Sequence, residues 1–188
     1  SNTDHTIPTP FGIAPGHGVL VDMIHRFSGA RPVVAGKPNR PLLDETVRRV
    51  GGTRPLMVGD RLDTDIEGAH NAGVDSLLVL TGVSGLPDLV AAPPTLRPTY
   101  LAADLGGLGA THVAPTRDGD RWTTLGWSAT VHEGRLVVAP TPDDGAEERP
   151  ADGWWRVAAA AAWDHLDQTG AVVDITAVEV PGAPRGPR

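Results

Sequence analysis

Apolar positions along this chain recur in two rhythms, and the switches between them mark its elements. Val19, Leu20, Met23, Ile24 and Phe27 fall at helical spacing. They predict a helix opened by Pro15-Gly16-His17-Gly18 and stopped at Gly29. A second stripe, Leu42, Leu43, Thr46, Val47 and Val50, predicts a helix that stops at Gly51-Gly52. Residues 64–72 read as a third helix, capped by Asp63 or Thr64 and ended by Gly73. Between these stripes lie short runs that are apolar on both faces, at residues 32–35, 56–58 and 76–80. Such runs predict strands buried on both faces of a parallel sheet, with helices packed over it. Residues 99–102 read as a last edge strand.

The rhythm changes after about residue 112. Residues 122–131 and 135–139 alternate like the strands of a hairpin joined by His132-Glu133-Gly134. Residues 140–152 are acidic and rich in turn formers, so they read as a loop. Residues 154–168 predict a helix with an alanine-rich middle that buries Trp155, Ala158, Ala159, Ala162 and Leu166. Residues 172–180 read as a final strand and 181–188 as a disordered tail. Residues 7–15, with three prolines, read as an extended loop.

Composition narrows the function. The chain has 188 residues, 40% hydrophobic and 21% charged, with a net charge of −7. That is enough for one ordinary domain or two small ones, and the acidic balance with no basic patch argues against a nucleic-acid partner. No apolar run is long enough for a transmembrane helix. With no cysteine there is no thiolate nucleophile and no thiolate metal site. This fits a cytoplasmic protein.

The candidate chemistry gathers at strand ends. Gly59-Asp60-Arg61-Leu62-Asp63-Thr64-Asp65-Ile66 follows the run at 56–58. Acidic residues on a loop there suit a hard cation such as Mg²⁺. Open α/β sheets place ligands at the carboxyl ends of strands, so Asp60 is read as a metal ligand, with Asp65 binding the ion or orienting its waters. Asp63 and Asp65 can instead favour the start of the following helix, and Asp63 reads as a cap. Lys37, in Gly36-Lys37-Pro38, also sits past a strand end, where it can neutralise a phosphate. Pro38 restricts it to an extended approach. His5 is the one histidine near this site. Gly82-Val83-Ser84-Gly85 could touch an anion, and the tryptophans at 154, 155 and 163 read as core or interface anchors.

Lys37 in Gly-Lys-Pro, the segment 58–66 and Leu78-Val79-Leu80-Thr81-Gly82-Val83 together resemble the haloacid dehalogenase (HAD) superfamily, subclass IIA, the 4-nitrophenylphosphatase-like group. The resemblance spans about residues 1–108. It implies an α/β architecture: a partial Rossmann-like core at 32–108, the end of a C2-type cap at 1–31, and an appended α+β module at 109–188. It implies a Mg²⁺-dependent phosphatase acting on a small phosphorylated metabolite of the glycerol phosphate or phosphoglycolate class through an aspartyl-phosphate. Lys37 then matches the lysine that steadies the nucleophile and the phosphoryl group. Asp60 and Asp65 match the metal-binding acids, and Asn2 and Asp4 match cap-end positions at the mouth of the site. The family's Asp-x-Asp-Gly nucleophile motif does not occur in these 188 residues. The expectation is therefore a C-terminal portion that is inactive alone. The alternative is a non-catalytic, HAD-derived module that pairs with another chain. Residues 109–188 lack an acetyl-CoA pyrophosphate loop and are expected to serve structure or a homodimer.

Overall fold

The computed structural model describes residues 3–141 and 149–181. Asn2, the acidic positions 143–148 and the tail at 182–188 lie outside the described residues. The chain opens with an antiparallel hairpin, β1 (Thr6–Thr9) and β2 (Gly12–Pro15), where the prolines had suggested a loop. Helix α1 (His17–Ser28) follows and ends at Gly29 in the left-handed conformation. Helix α2 (Arg40–Val50) ends the same way at Gly51.

The predicted strand at 32–35 does not form. These residues have no regular structure and Val33 is exposed. A strand needs a neighbour for its N–H and C=O groups, and no described residue supplies one there.

The parallel sheet has three strands in the order β3 (Leu56–Gly59), β4 (Asp75–Val79) and β5 (Tyr100–Ala102). Both pairings are parallel, with Val58 opposite Leu77 and Leu78 opposite Leu101. β4 is central and buried. β3 is an edge among the described strands and only half-buried, so the expectation that 56–58 is buried on both faces is corrected. Short helices cover the sheet: α3 (Glu67–Ala72) after β3 and α4 (Leu86–Val90) after β4.

The C-terminal part builds a four-stranded antiparallel meander: β6 (Thr116–Asp118), β7 (Arg121–Thr124), β8 (Trp127–His132) and β9 (Arg135–Pro140). The expected long strand at 122–131 is split by a two-residue turn. Leu125 and Gly126 have φ of 47° and 77°, the paired positive values of a tight hairpin. A leucine rarely adopts that conformation, which hid the turn. The predicted strand at 172–180 is reduced to one parallel bridge between Arg135 and Asp174. Asp174 breaks it by taking the N–H (2.9 Å) and hydroxyl (2.8 Å) of Thr176 onto its carboxylate.

Helix α5 (Ala151–Thr169) unites the two sheets. It packs on β5 and α4 and also on β7, β8 and β9. One hydrophobic cluster therefore runs from Leu62, Ile66, Leu78 and Leu101 through Trp154, Val157 and Ala158 to Ala129 and Leu136. Ala158, Ala159 and Ala162 are wholly buried. Their small side chains let the backbone approach two layers at once. Trp154 and Trp155 are buried in this core, meeting edge to face. Among the described residues no helix is long and apolar enough to cross a membrane.

Candidate active site

The site forms where β3 stops at Gly59. The chain bends there into a π-helical turn, Leu62–Ile66, that leads into α3. Asp65 N–H and Ile66 N–H both donate to Arg61 O at 3.1 Å, which starts the helix earlier than the sequence pattern placed it. Neither Asp63 nor Thr64 caps it; the residue before the turn is Arg61, and no side chain caps there. Asp63 instead takes two hydrogen bonds from Arg61, from Nε at 2.9 Å and from Nη2 at 2.6 Å. These bonds hold the Asp63 carboxyl below its ordinary range. They raise Arg61 in turn, with smaller contributions from the charges of Asp4 and Asp65.

Asp65 turns back under the loop that bears it. Its Oδ2 accepts the backbone N–H of Asp60 (3.2 Å) and of Arg61 (3.1 Å). Its Oδ1 accepts Lys37 Nζ. The carboxylate is 5% exposed while Lys37 is 47% exposed, so one end of the pair is buried and the other faces water. A buried carboxylate is costly unless its oxygens are bonded, and here both are. The peptide bond between Lys37 and Pro38 is cis. Pro38 O accepts Asn71 Nδ2 of α3 at 3.0 Å.

Asp60 is half-buried and held from the far side by the loop after β4. Val83 N–H donates to Asp60 Oδ2 at 2.8 Å, and Ser84 N–H donates to Asp60 O at 2.9 Å. Ser84 Oγ accepts Leu62 N–H at 3.1 Å. Sequence reasoning saw in residues 82–85 only a weak anion loop, yet they clamp the Asp60 turn. Two glycines make the close approach possible. A Cβ at Gly59 would overlap the Asp65 carboxylate, and one at Gly82 would overlap that of Asp60. A glycine directly before each turn was the available signal.

The other expected residues lie at the rim or away. Asp4 is half-buried, and its carbonyl accepts Gly18 N–H at 2.9 Å at the start of α1. His5 pairs with Asp22 of α1 at 2.9 Å on the surface. Among the described residues no group of three or more His, Asp or Glu side chains converges on one point. The arrangement gathers a lysine ammonium and two carboxylates at the carboxyl end of a parallel strand. It can meet an anion through Lys37 and a hard cation through the free face of Asp60.

Residues 34–108 match the model of the HAD-hydrolase-like family. The chain is 41% identical over 170 residues to a D-glycerol 3-phosphate phosphatase of Mycobacterium tuberculosis, covering 87% of this chain and 46% of that protein. It is 32% identical over 121 residues to a dihydroxyacetone phosphatase of Corynebacterium glutamicum, covering 63% of this chain and 43% of the relative. Among solved structures, a glycerol phosphate phosphatase of Mycobacterium tuberculosis in complex with magnesium superposes with a TM-score of 0.66 at 40% identity, covering 87% of this chain and 47% of that one. The chain thus spans about half the length of the curated relatives it matches. Residues 34–108, which hold the parallel α/β sheet and the Lys37–Asp65–Asp60 turn, belong to the HAD-like hydrolases.

Proposed function

We propose that this chain supplies the magnesium and lysine half of a subclass IIA HAD phosphatase. Its substrate would be a small phosphate monoester of the glycerol phosphate or phosphoglycolate class. The observation that carries this reading is the Asp65 carboxylate, which ties Lys37 to the Asp60 turn in one hydrogen-bonded unit. Names of the relatives support the substrate class.

The donor set fits the ion. Mg²⁺ takes one or two carboxylates and completes its shell with water and substrate phosphate oxygens. Asp60 would hold it directly, because Val83 N–H fixes one of its oxygens and so orients the other. Asp65 would support it from behind. When bound, the ion neutralises phosphate charge. Lys37 does the same for the transferring phosphoryl group, and its tie to Asp65 keeps it from swinging into solvent. Asp4, close enough to Arg61 to feel its charge, would stand at the mouth of the site, with Asn2 beside it in sequence.

The attacking aspartate would come from an Asp-x-Asp-Gly strand, which these 188 residues do not contain. The 188 residues alone are therefore expected to release no 4-nitrophenol from 4-nitrophenyl phosphate with Mg²⁺. They are expected to bind Mg²⁺, with saturable shifts at the Asp60 and Val83 amides that Asp60→Asn abolishes. Turnover at an ordinary enzymatic rate would refute the shared-site reading. Magnesium shifts that survive Asp60→Asn would refute the ligand assignment. Zero cysteine supports a cytoplasmic setting for this activity.

A second reading has one observation in its favour. Phe11, Ile13, Leu20, Ile24 and Phe27 leave an apolar face on the hairpin and α1 in contact with water. Such a face suits an assembly module that pairs with another polypeptide. Sedimentation at rising concentration distinguishes it: self-association that is lost in Phe27→Glu supports pairing.

A further inference from the structure

A second polar cluster lies away from the Lys37 turn, at the opposite edge of the parallel sheet. There the chain leaves β5, passes the short helix Leu105–Gly109, and runs over the sheet edge as a strap at residues 110–115 before entering β6. Under the strap is a cleft of about 170 Å³, lined by Tyr100, His112, Val113, Arg156, Ala160 and Trp163 among others.

Arg156 of α5 is the unusual member. It is 6% exposed, far more buried than a guanidinium ordinarily is. Its Nε donates to Leu101 O at 3.0 Å, which ties it to β5. Its Nη2 donates to Asp152 Oδ2 at 2.9 Å and to His112 Nδ1 at 3.1 Å. His112 Nε2 lies 2.9 Å from Gly107 O and must donate to it, so Nδ1 is the bare nitrogen that accepts from Arg156. Both Nη2 protons and the Nε proton are thus used. Nη1 carries two protons and reaches Val113 O at only 3.5 Å, the outer limit of a hydrogen bond.

The charge balance points the same way as the donor count. Asp152 divides its attention, since its Oδ1 also accepts Ala103 N–H at 2.8 Å. Burial holds Arg156 below its ordinary range, and the nearby Asp152 offsets this only in part. A desolvated cation with donor capacity to spare is improved by an anion. Apart from Thr99, the rest of the lining is aromatic and aliphatic. Tyr100 and His112 meet with ring centroids 4.9 Å apart, and Trp163 is pinned by its indole N–H to Leu89 O at 2.7 Å. Pre-set rings of this kind accept a flat apolar body at little ordering cost.

We propose that the cleft beneath the 110–115 strap binds a small planar carboxylate, with its anion on Arg156 Nη1 and its ring against Tyr100, His112 and Trp163. The site is distinct from the phosphatase turn. Its lining comes from β5 and the residues before it, the strap and α5, so its occupant would tie the strap and α5 to the edge of the parallel sheet.

Benzoate is a suitable probe, with benzyl alcohol as its uncharged counterpart. In ¹H–¹⁵N spectra of the folded chain, benzoate is expected to shift the Trp163 indole and Arg156 Nε–H signals saturably. Benzyl alcohol is expected to bind at least about tenfold more weakly, the effect of losing a charge-assisted hydrogen bond. Ala160→Leu, which fills the cleft from its α5 wall, is expected to lose the benzoate shifts while retaining the wild-type circular dichroism. Absence of saturable shifts in the wild-type chain would overturn the proposal. Equal binding of the two probes, or benzoate shifts that persist in Ala160→Leu, would overturn it too. The two-probe comparison uses the wild-type chain and stands even if the variant misfolds.

Discussion

Helices α1 and α5 start from similar sequence signals and reach opposite fates. Each carries a run of apolar residues at helical spacing, and each ends at a glycine in the left-handed conformation. In α1 the only buried residue is Gly18, and Phe27 is 94% exposed. In α5 nine residues are buried, including the charged Arg156. The difference lies in what meets them. Two sheets converge on α5 from different sides, whereas the described residues bring little to α1. An apolar stripe records that a helix is able to bury a face. A helix that is apolar or small nearly all round, like the alanine run of α5, records that it must be enclosed.

Matched substitutions break this comparison most sharply. Val157→Asp puts an unpaired charge into a site with no exposure and is expected to cost on the order of 4 kcal/mol or more, enough to unfold the chain. Leu20→Asp in α1 is expected to cost less than about 0.5 kcal/mol. Urea unfolding midpoints at equal m-values measure both. A large loss at Leu20 would show that α1 is covered in solution after all.

The next contrast is between arginines. Arg156→Met removes the partner of Asp152 in a mostly buried pair, and breaking such a pair costs about 3 kcal/mol. Arg40→Met in α2 removes an exposed partner of Asp44, which lies 3.3 Å away, and is expected to cost under about 0.5 kcal/mol. Similar losses in the two variants would mean that burial of Arg156 is not what makes its pairing matter.

How much of this was legible beforehand varies by element. The residues of α1, α2 and α5, and the strands at 56–59 and 75–79, follow from apolar spacing and glycine stops, which act within a few residues. Asp60 and Asp65 stand out because hard-cation chemistry suits acidic residues after a strand end, whereas Lys37 stood out as following a strand at 32–35 that does not form. The contact between Lys37 and Asp65 was not legible, since 28 positions separate them. The same holds for the clamp of Val83 and Ser84 on the Asp60 turn. The strand expected at 32–35 had suitable composition but no neighbour among the described residues to complete a ladder, and the one expected at 172–180 meets Arg135 in one bridge before the Asp174 turn ends it. The turn at Leu125-Gly126 was hidden because leucine carries no turn signal.

The smallest expected effect concerns Asp63, which sequence marked as a cap and the structure pairs with Arg61. Its carboxyl titrates below the usual 3.8 when folded, so the pair stabilises above that range and the benefit is lost as pH falls through the folded value. Asp63 is largely exposed, and screening limits the gain to about 0.5 kcal/mol. Melting curves of Asp63→Asn and wild type should differ slightly and steadily from about pH 5 upward and converge in acid. A gap that widens as pH falls would assign Asp63 another role.

By itself the sequence determined the local grammar of this protein: which segments can be helix or strand, where they stop, and which side chains are candidates to meet a phosphate and a metal. Those outcomes depend on neighbours within one or two turns of chain. Tertiary structure alone decided which apolar faces are buried, which carboxylate holds Lys37, and that an arginine sits inside the joint between two sheets. Burial and long-range hydrogen bonds are properties of the elements that meet, and which of them meet is set by the packing of the whole chain.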